Sequence, residues 1–259
     1  MMHLINQPLK KGTGKMENTA YIALSGQSVL KRKLDVIANN LANMNTTAYK
    51  GENMLFVQHL VNNKSDQTAT SGKLSYSRDI AQYYNLEEGP LKNTDNPLDL
   101  AIHGKGYFVV ETENGERYSR NGHLSLDSDG KLVNSNNQPI LSKAGTPFFF
   151  APDDKKITIA PDGTVSTDNG PLGQIRIVEF EKPQELQKRS GGLLFTEEQA
   201  SDSEKPNILQ GKLESSNIKP ISEITQMIEV QRAYESVRKF IDKEDSRQRK
   251  MIQDLTPRI

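Results

Sequence analysis

Both ends of the chain carry apolar residues at heptad spacing, and the long stretch between them does not. Near the start, Leu24, Leu30, Leu34, Ile37, Leu41 and Met44 share one helical face, with steps of 4, 3, 4 and 3 from Leu30 onward. Near the end, Met227, Val230, Tyr234, Val237, Ile241, Met251 and Leu255 do the same, with steps of 3, 4, 3 and 4 as far as Ile241. This is the spacing of a coiled-coil seam. A helix with one apolar stripe must bury it against something. The two stripes therefore predict terminal helices that meet each other or copies of themselves, and they point to assembly before chemistry. Gln231, Glu244 and Gln248 interrupt the second stripe and are candidates for setting its register.

The first helical pattern runs from about Glu17 and ends near Asn43, where Asn and Thr begin to compete for backbone bonds. Residues 1–15 read as a flexible leader, and ordered-looking sequence begins at Met16, which leaves Met1 and Met16 both open as the start. Met54 to Val61 is an apolar patch, either a strand or a further helical turn. Residues 62–72 are a polar loop. From 73 to about 215 the signals are those of strands: Leu98–Ile102, Tyr107–Glu111, His123–Leu126, Ile157–Ile159 and Gln174–Phe180. Asn114-Gly115, Asp129-Gly130, Asp162-Gly163 and Asn169-Gly170 punctuate them as hairpin turns. Residues 183–206 are irregular and charged. The last helix is expected to start near Pro220, with Ser222 as its N-cap, and to stop before Pro257. The predicted class is α+β: a mainly antiparallel β domain at 62–215, an N-terminal helix and extension at 16–61, and a C-terminal helix at 216–259. The two helices are expected to pair as a coiled coil.

Composition narrows the function. Of the 259 residues, 34% are hydrophobic, and there is neither Cys nor Trp. Zero Cys excludes disulfides, thiol catalysis and cysteine metal sites. Formal net charge is zero, but residues 1–50 carry +5, 216–259 carry +2 and the middle carries −7. No dense basic stripe with interleaved aromatics points to nucleic acid. No apolar run approaches the roughly 18 residues of a membrane span, and the first residues lack the apolar core of a secretory signal.

The residues that could do chemistry do not assemble into motifs. His3, His59, His103 and His123 are scattered, none at metal-ligand spacing. Gly104-Lys105-Gly106 lacks the third glycine of a dinucleotide fingerprint and reads as a bend before Tyr107. Asp127-Ser128-Asp129-Gly130 lacks the closing ligands of a calcium loop and reads as a turn. No catalytic residue, metal ligand or cofactor site is therefore assigned, and an enzyme is not expected. The Asn cluster is less ordinary. Asn39, Asn40, Asn43 and Asn45 fall within seven residues at the end of the first stripe. Asn is a poor interior helix residue. These amides are either a solvated helix end or a polar register device that pairs in one alignment.

That cluster also opens a family resemblance. Leu34 to Lys50, reading LDVIANNLANMNTTAYK, resembles the N-terminal motif of bacterial flagellar rod, hook and hook-associated proteins. Asn96 to Phe108, Tyr118-Ser119-Arg120-Asn121-Gly122 with Leu126 to Val133, Glu214-Ser215-Ser216-Asn217, and Met227 to Glu235 resemble further motifs of that family in the same order. Ala48 departs from a frequent Gly, His103 from a frequent acid and Ile218 from a frequent Val. Length and the ending Asp245 to Ile252 favour a proximal over a distal rod subunit. The resemblance implies a structural protein of the rod crossing the periplasm, exported by the flagellar type III apparatus, with itself and other rod subunits as partners. It implies no cofactor, no nucleic acid and no membrane insertion. A secreted β-rich binding protein is the competing reading. The assembly surface predicted on this basis comprises both stripes with Asn39, Asn40, Asn43 and Gln231.

Overall fold

The computed structural model describes residues 14–62, 73–154 and 156–255. Two long helices, α1 (Gly14–Ala42) and α2 (Pro220–Leu255), bracket a chain of strands. The architecture is the expected α+β. Most of the leader 1–15 and the polar loop lies outside the described residues, although α1 already begins at Gly14. The apolar patch after residue 52 is a strand, β1 (Glu52–Asn62), paired with β2 (Lys73–Tyr84).

The chain divides into two compact units. The first contains the helices up to Asn39 and from Ile221, with Asn53–Gln82 between them. The second contains Asn40–Glu52 and Tyr83–Pro220. The end of α1 thus belongs with the strands, whereas the sequence reading placed the β domain at 62–215.

The helices show their stripes as burial. On α2 the less exposed residues are Glu223, Met227, Val230, Tyr234, Val237, Ile241, Glu244 and Gln248, an unbroken alternation of 4 and 3. Gln231 lies off this line and is exposed. On α1, Val36 and Ile37 are buried, Leu30, Leu34 and Leu41 are half-buried and Leu24 is exposed; Met44, expected on the same stripe, lies past the helix end in a turn and is exposed. Because α2 begins at Pro220, Ser222 sits inside the first turn and is not its N-cap. Proline fits the first helical position because its missing N–H would have no partner there.

The second unit is antiparallel throughout its described pairings. It runs β3 (Leu91–Asn93), β4 (Leu100–Ile102), β5 (Tyr107–Thr112), β6 (Gly115–Ser119), β7 (Leu124–Leu126), β8 (Leu132–Asn134), β9 (Thr158–Ile159), β10 (Thr164–Thr167) and β11 (Gly170–Gln174). It continues with β12 (Ile177–Glu179), β13 (Gln187–Lys188), β14 (Leu194–Phe195), β15 (Ser201–Asp202), β16 (Ile208–Gln210) and β17 (Lys212–Glu214). The largest sheet has the order β13-β14-β6-β5-β12-β15. Strand β5 is buried on both faces. Phe108 and Val110 join the main core with Leu100, Ile102, Leu132 and Ile175, while Val109 joins Tyr118, Leu141 and Val178. That split follows from the two-residue period of a strand.

All four Gly-containing turns join neighbouring antiparallel strands: β5 to β6, β7 to β8, β9 to β10 and β10 to β11. The continuous strand expected at Gln174–Phe180 is broken. After β11, the Ile175 N–H donates to Gly163 and the Arg176 N–H to Leu141, so the backbone changes partners before β12.

Candidate assembly site

The second unit is closed by a buried charge cluster whose members come from remote parts of the chain. Glu214, at the end of β17, is 1% exposed. Its carboxylate accepts from Lys50 Nζ, from the Gly89 N–H at 3.0 Å and from Arg120 Nε at 3.1 Å. Arg120 follows β6 and is itself buried. Its remaining N–H groups donate to the carbonyls of Gly106 at 2.6 Å, Gly104 at 2.8 Å and Ile102 at 3.2 Å. The Gly104-Lys105-Gly106 bend thus curls three carbonyls around a guanidinium. Both glycines have positive φ, 92° and 125°. A Cβ on Gly106 would meet Ile177 at 2.6 Å. Burial lowers the pKa of Lys50 even though Glu214 pulls it the other way.

The same cluster clamps the chain where it enters and leaves the unit. The Ala48 N–H donates to the Glu214 carbonyl at 2.8 Å, and the Asn217 N–H donates to Tyr49 at 3.2 Å. Asn217 Oδ1 accepts from the Gly51 N–H at 2.9 Å, while its Nδ2 donates to the carbonyls of Asn85 and Glu87. Ala48 holds φ at +58°, a conformation that favours the Gly it replaces.

The Asn cluster is used here within the chain. Buried Asn40 donates from Nδ2 to the Glu52 carbonyl at 2.9 Å, and its Oδ1 accepts from the Glu52 N–H at 2.9 Å. The amide pairs with backbone as a neighbouring strand would. Asn43 accepts from Thr46 Oγ1, and Asn39 is exposed. Close by, Lys188 Nζ sits 4.2 Å from the Tyr49 ring centre and 4.6 Å from that of Tyr84, with Glu52 at 2.7 Å. Tyr49, Tyr84, Tyr107 and Leu186 line an open groove of about 330 Å³ beside this pair.

The two described histidine side chains outside this cluster are each paired with a carboxylate. His123 bonds Asp99 at 2.7 Å and His103 bonds Glu88 at 3.0 Å. Among the described residues neither ring reaches a second side chain, and no cluster of metal-ligating side chains forms. No described helix is long and apolar enough to cross a membrane. The geometry suits holding: one carboxylate, Glu214, is shared by two cations, Lys50 and Arg120, and Arg120 is further held by three backbone carbonyls.

Comparison with known proteins accounts for these positions. Three family models match in chain order: the flagella basal body rod protein at residues 21–50, the flagellar hook protein FlgE/F/G D1 domain at 101–167, and the flagellar basal body rod FlgEFG protein C-terminal at 209–254. The flagellar basal-body rod protein FlgF of Caulobacter vibrioides is 36% identical over 232 residues, covering 88% of this chain and 93% of its own. The chain belongs to the flagellar basal-body rod protein family. FlgF of Mesorhizobium japonicum is 31% identical, covering 85% of this chain and 90% of its own, and FlgG of Bacillus subtilis is 29% identical, covering 89% and 96%. The rod family member described here is a structural subunit of the flagellar basal body, built to assemble with other rod and hook subunits, and is not an enzyme.

The predicted surface residues divide accordingly. Met227, Val230, Tyr234, Val237 and Ile241 lie on the half-buried line of α2, Met251 is exposed, and the Leu255 side chain lies outside the described residues. Lys50, Arg120, Glu214 and Asn217 carry the resemblance, yet sequence reasoning assigned them no role. Their signal was a charge or amide inside or at the edge of a motif: Lys50 and Asn217 at an end, Glu214 at a start, Arg120 within.

Proposed function

We propose that this chain is a proximal rod subunit that polymerises through its two terminal helices, which pair along their stripes as a coiled coil. The β unit serves as a rigid body. Export is by the flagellar type III apparatus, and the assembled rod spans the periplasm as a drive shaft. Neither nucleic acid nor a membrane is a partner. The observation that carries this reading is the half-buried line on α2, with its alternation of 4 and 3 from Glu223 to Gln248. Such a line is the geometry knobs-into-holes packing requires. The clamp of residues 48–52 against 214–217 supports a mechanical role, since it ties two remote segments of the chain together within the β unit. Leu34→Asp and Ile241→Asp should each abolish motility and incorporation into basal bodies while leaving export intact. Normal swimming by either variant would sink the proposal.

A further inference from the structure

Helix α2 carries a second apolar face that its seam does not use. Ile221, Ile224 and Ile228 lie 3 and 4 residues apart, and they are 82%, 45% and 47% exposed. Counted from the seam, they occupy flanking positions, so a partner packed on Met227, Val230 and Tyr234 leaves them open. The three side chains span about 10 Å along the helix at 1.5 Å per residue. Three adjacent exposed isoleucines over about two turns mark an interaction surface.

A second feature of the same unit offers the counterpart. Tyr21, Leu24, Ser25, Gln27, Ser28 and Lys31 of α1, with Tyr234 of α2, line an open depression of about 540 Å³. Tyr21 and Leu24 at its mouth are 61% and 56% exposed. The charges beside the two features are opposite. The first ten residues of α2 carry Glu223 and Glu229 and no basic residue, whereas the one charged residue lining the depression is Lys31.

We propose that the Ile221–Ile224–Ile228 face of one copy docks into the Tyr21–Leu24–Lys31 depression of a second copy of this chain. This rests on the assembly reading above; the isoleucine face lies off the α2 seam, and the depression shares Leu24 and Tyr234 with the two stripes. The two patches differ, so the contact is heterologous, and repetition adds copies in one direction without closing a two-fold dimer. Complementary charge orients the approach, as in other steered associations.

The absence of cysteine makes the test clean. Full-length chains carrying Ile224→Cys and, separately, Leu24→Cys or Ser28→Cys are co-expressed in cells lacking the natural copy. Isolated basal bodies are then treated with a short bis-maleimide. The expected result is a species of twice the chain mass from the mixture and none from either variant alone. A dimer from the Ile224→Cys chain alone would mean face-to-face packing and overturn the proposal. So would basal bodies that contain the protein but yield no dimer, or a product of any other mass. If the chain is absent from wild-type basal bodies, the assembly reading itself fails. As a second measurement, Ile224→Glu should lower incorporation by about tenfold or more, the loss expected when a buried isoleucine becomes a charge, with unchanged thermal unfolding. Undiminished incorporation would overturn the proposal independently.

Discussion

Replacing Glu214 by Gln keeps the shape of the side chain and removes the charge that the cluster is built on. The carboxylate answers three donors, from Lys50, Gly89 and Arg120. After substitution, Lys50 and Arg120 remain, with only 12% and 8% of their side chains exposed. Breaking a buried pair by removing one partner costs about 3–5 kcal/mol. Arg120 keeps three backbone carbonyls, so the low end, about 3 kcal/mol, is expected. For a unit of this size each kcal/mol moves the midpoint by about 2–4 °C, which gives a fall of about 6–12 °C. Differential scanning calorimetry of the full chain measures it. Lys50 adds a pH signature. Its folded pKa already lies below 10.5 because of burial, and losing Glu214 lowers it further. The penalty is then greatest near pH 7, where the stranded Lys50 is charged, and shrinks as pH rises through the lowered pKa. Adding Lys50→Met should recover at least about 1 kcal/mol relative to the sum of the single changes. A Glu214→Gln protein within about 1 kcal/mol of wild type, a penalty that grows with pH, or strict additivity would refute the reasoning.

The other expectations concern single positions. Gly122→Ala places a Cβ 1.9 Å from the Leu100 carbonyl oxygen and should lose about 3 kcal/mol or more by chemical denaturation. Gly26→Ala meets nothing within 4 Å and should stabilise α1 by about 0.5–1 kcal/mol, read as added helicity by circular dichroism. Ala48→Gly should be neutral or raise the midpoint, because the left-handed conformation costs a non-glycine residue about 1 kcal/mol or more. Burial would raise the Glu88 pKa, but the bonds from His103 and the Gly104 N–H outweigh it and hold it below 4.5. Its contribution is therefore complete above pH 4.5 and lost as pH falls through the lowered value, and Glu88→Gln should flatten that part of the acid-unfolding curve.

What was legible in the chain was whatever repeats locally. A stripe of period 3.5 declares a helix and its buried side, so both helices could be placed within a few residues. Asp-Gly and Asn-Gly declare a hairpin, and all four were found. The errors fall where a longer-range choice overrides the local one. Gln174–Phe180 has strand composition throughout, yet Gly163 and Leu141 compete for its N–H groups and split it. For Asn40 the sequence leaves a solvated helix end and a register device both open, and within the chain its amide makes two bonds to the Glu52 backbone.

The charge cluster lies furthest beyond a single sequence. Glu214 is 94 residues from Arg120 and 164 from Lys50, and nothing near any of the three distinguishes it from the other charged residues of the chain. Yet the motifs that resemble the rod family contain them: Lys50 closes the first, Arg120 lies within the Tyr-Ser-Arg segment, Glu214 opens the fourth, and the second supplies the carbonyls around Arg120. Four motifs with no local reason to travel together meet in one cluster, three of them at the Glu214 carboxylate. A rod subunit has use for such a lock. The charges oblige the entering and leaving segments to lie side by side, because separating them would strand Lys50 or Arg120 without its partner in a poorly solvated interior. On the assembly reading proposed above the helical stripes are the adhesive surface, while the cluster fixes residues 48–51 against 214–217 within the β unit.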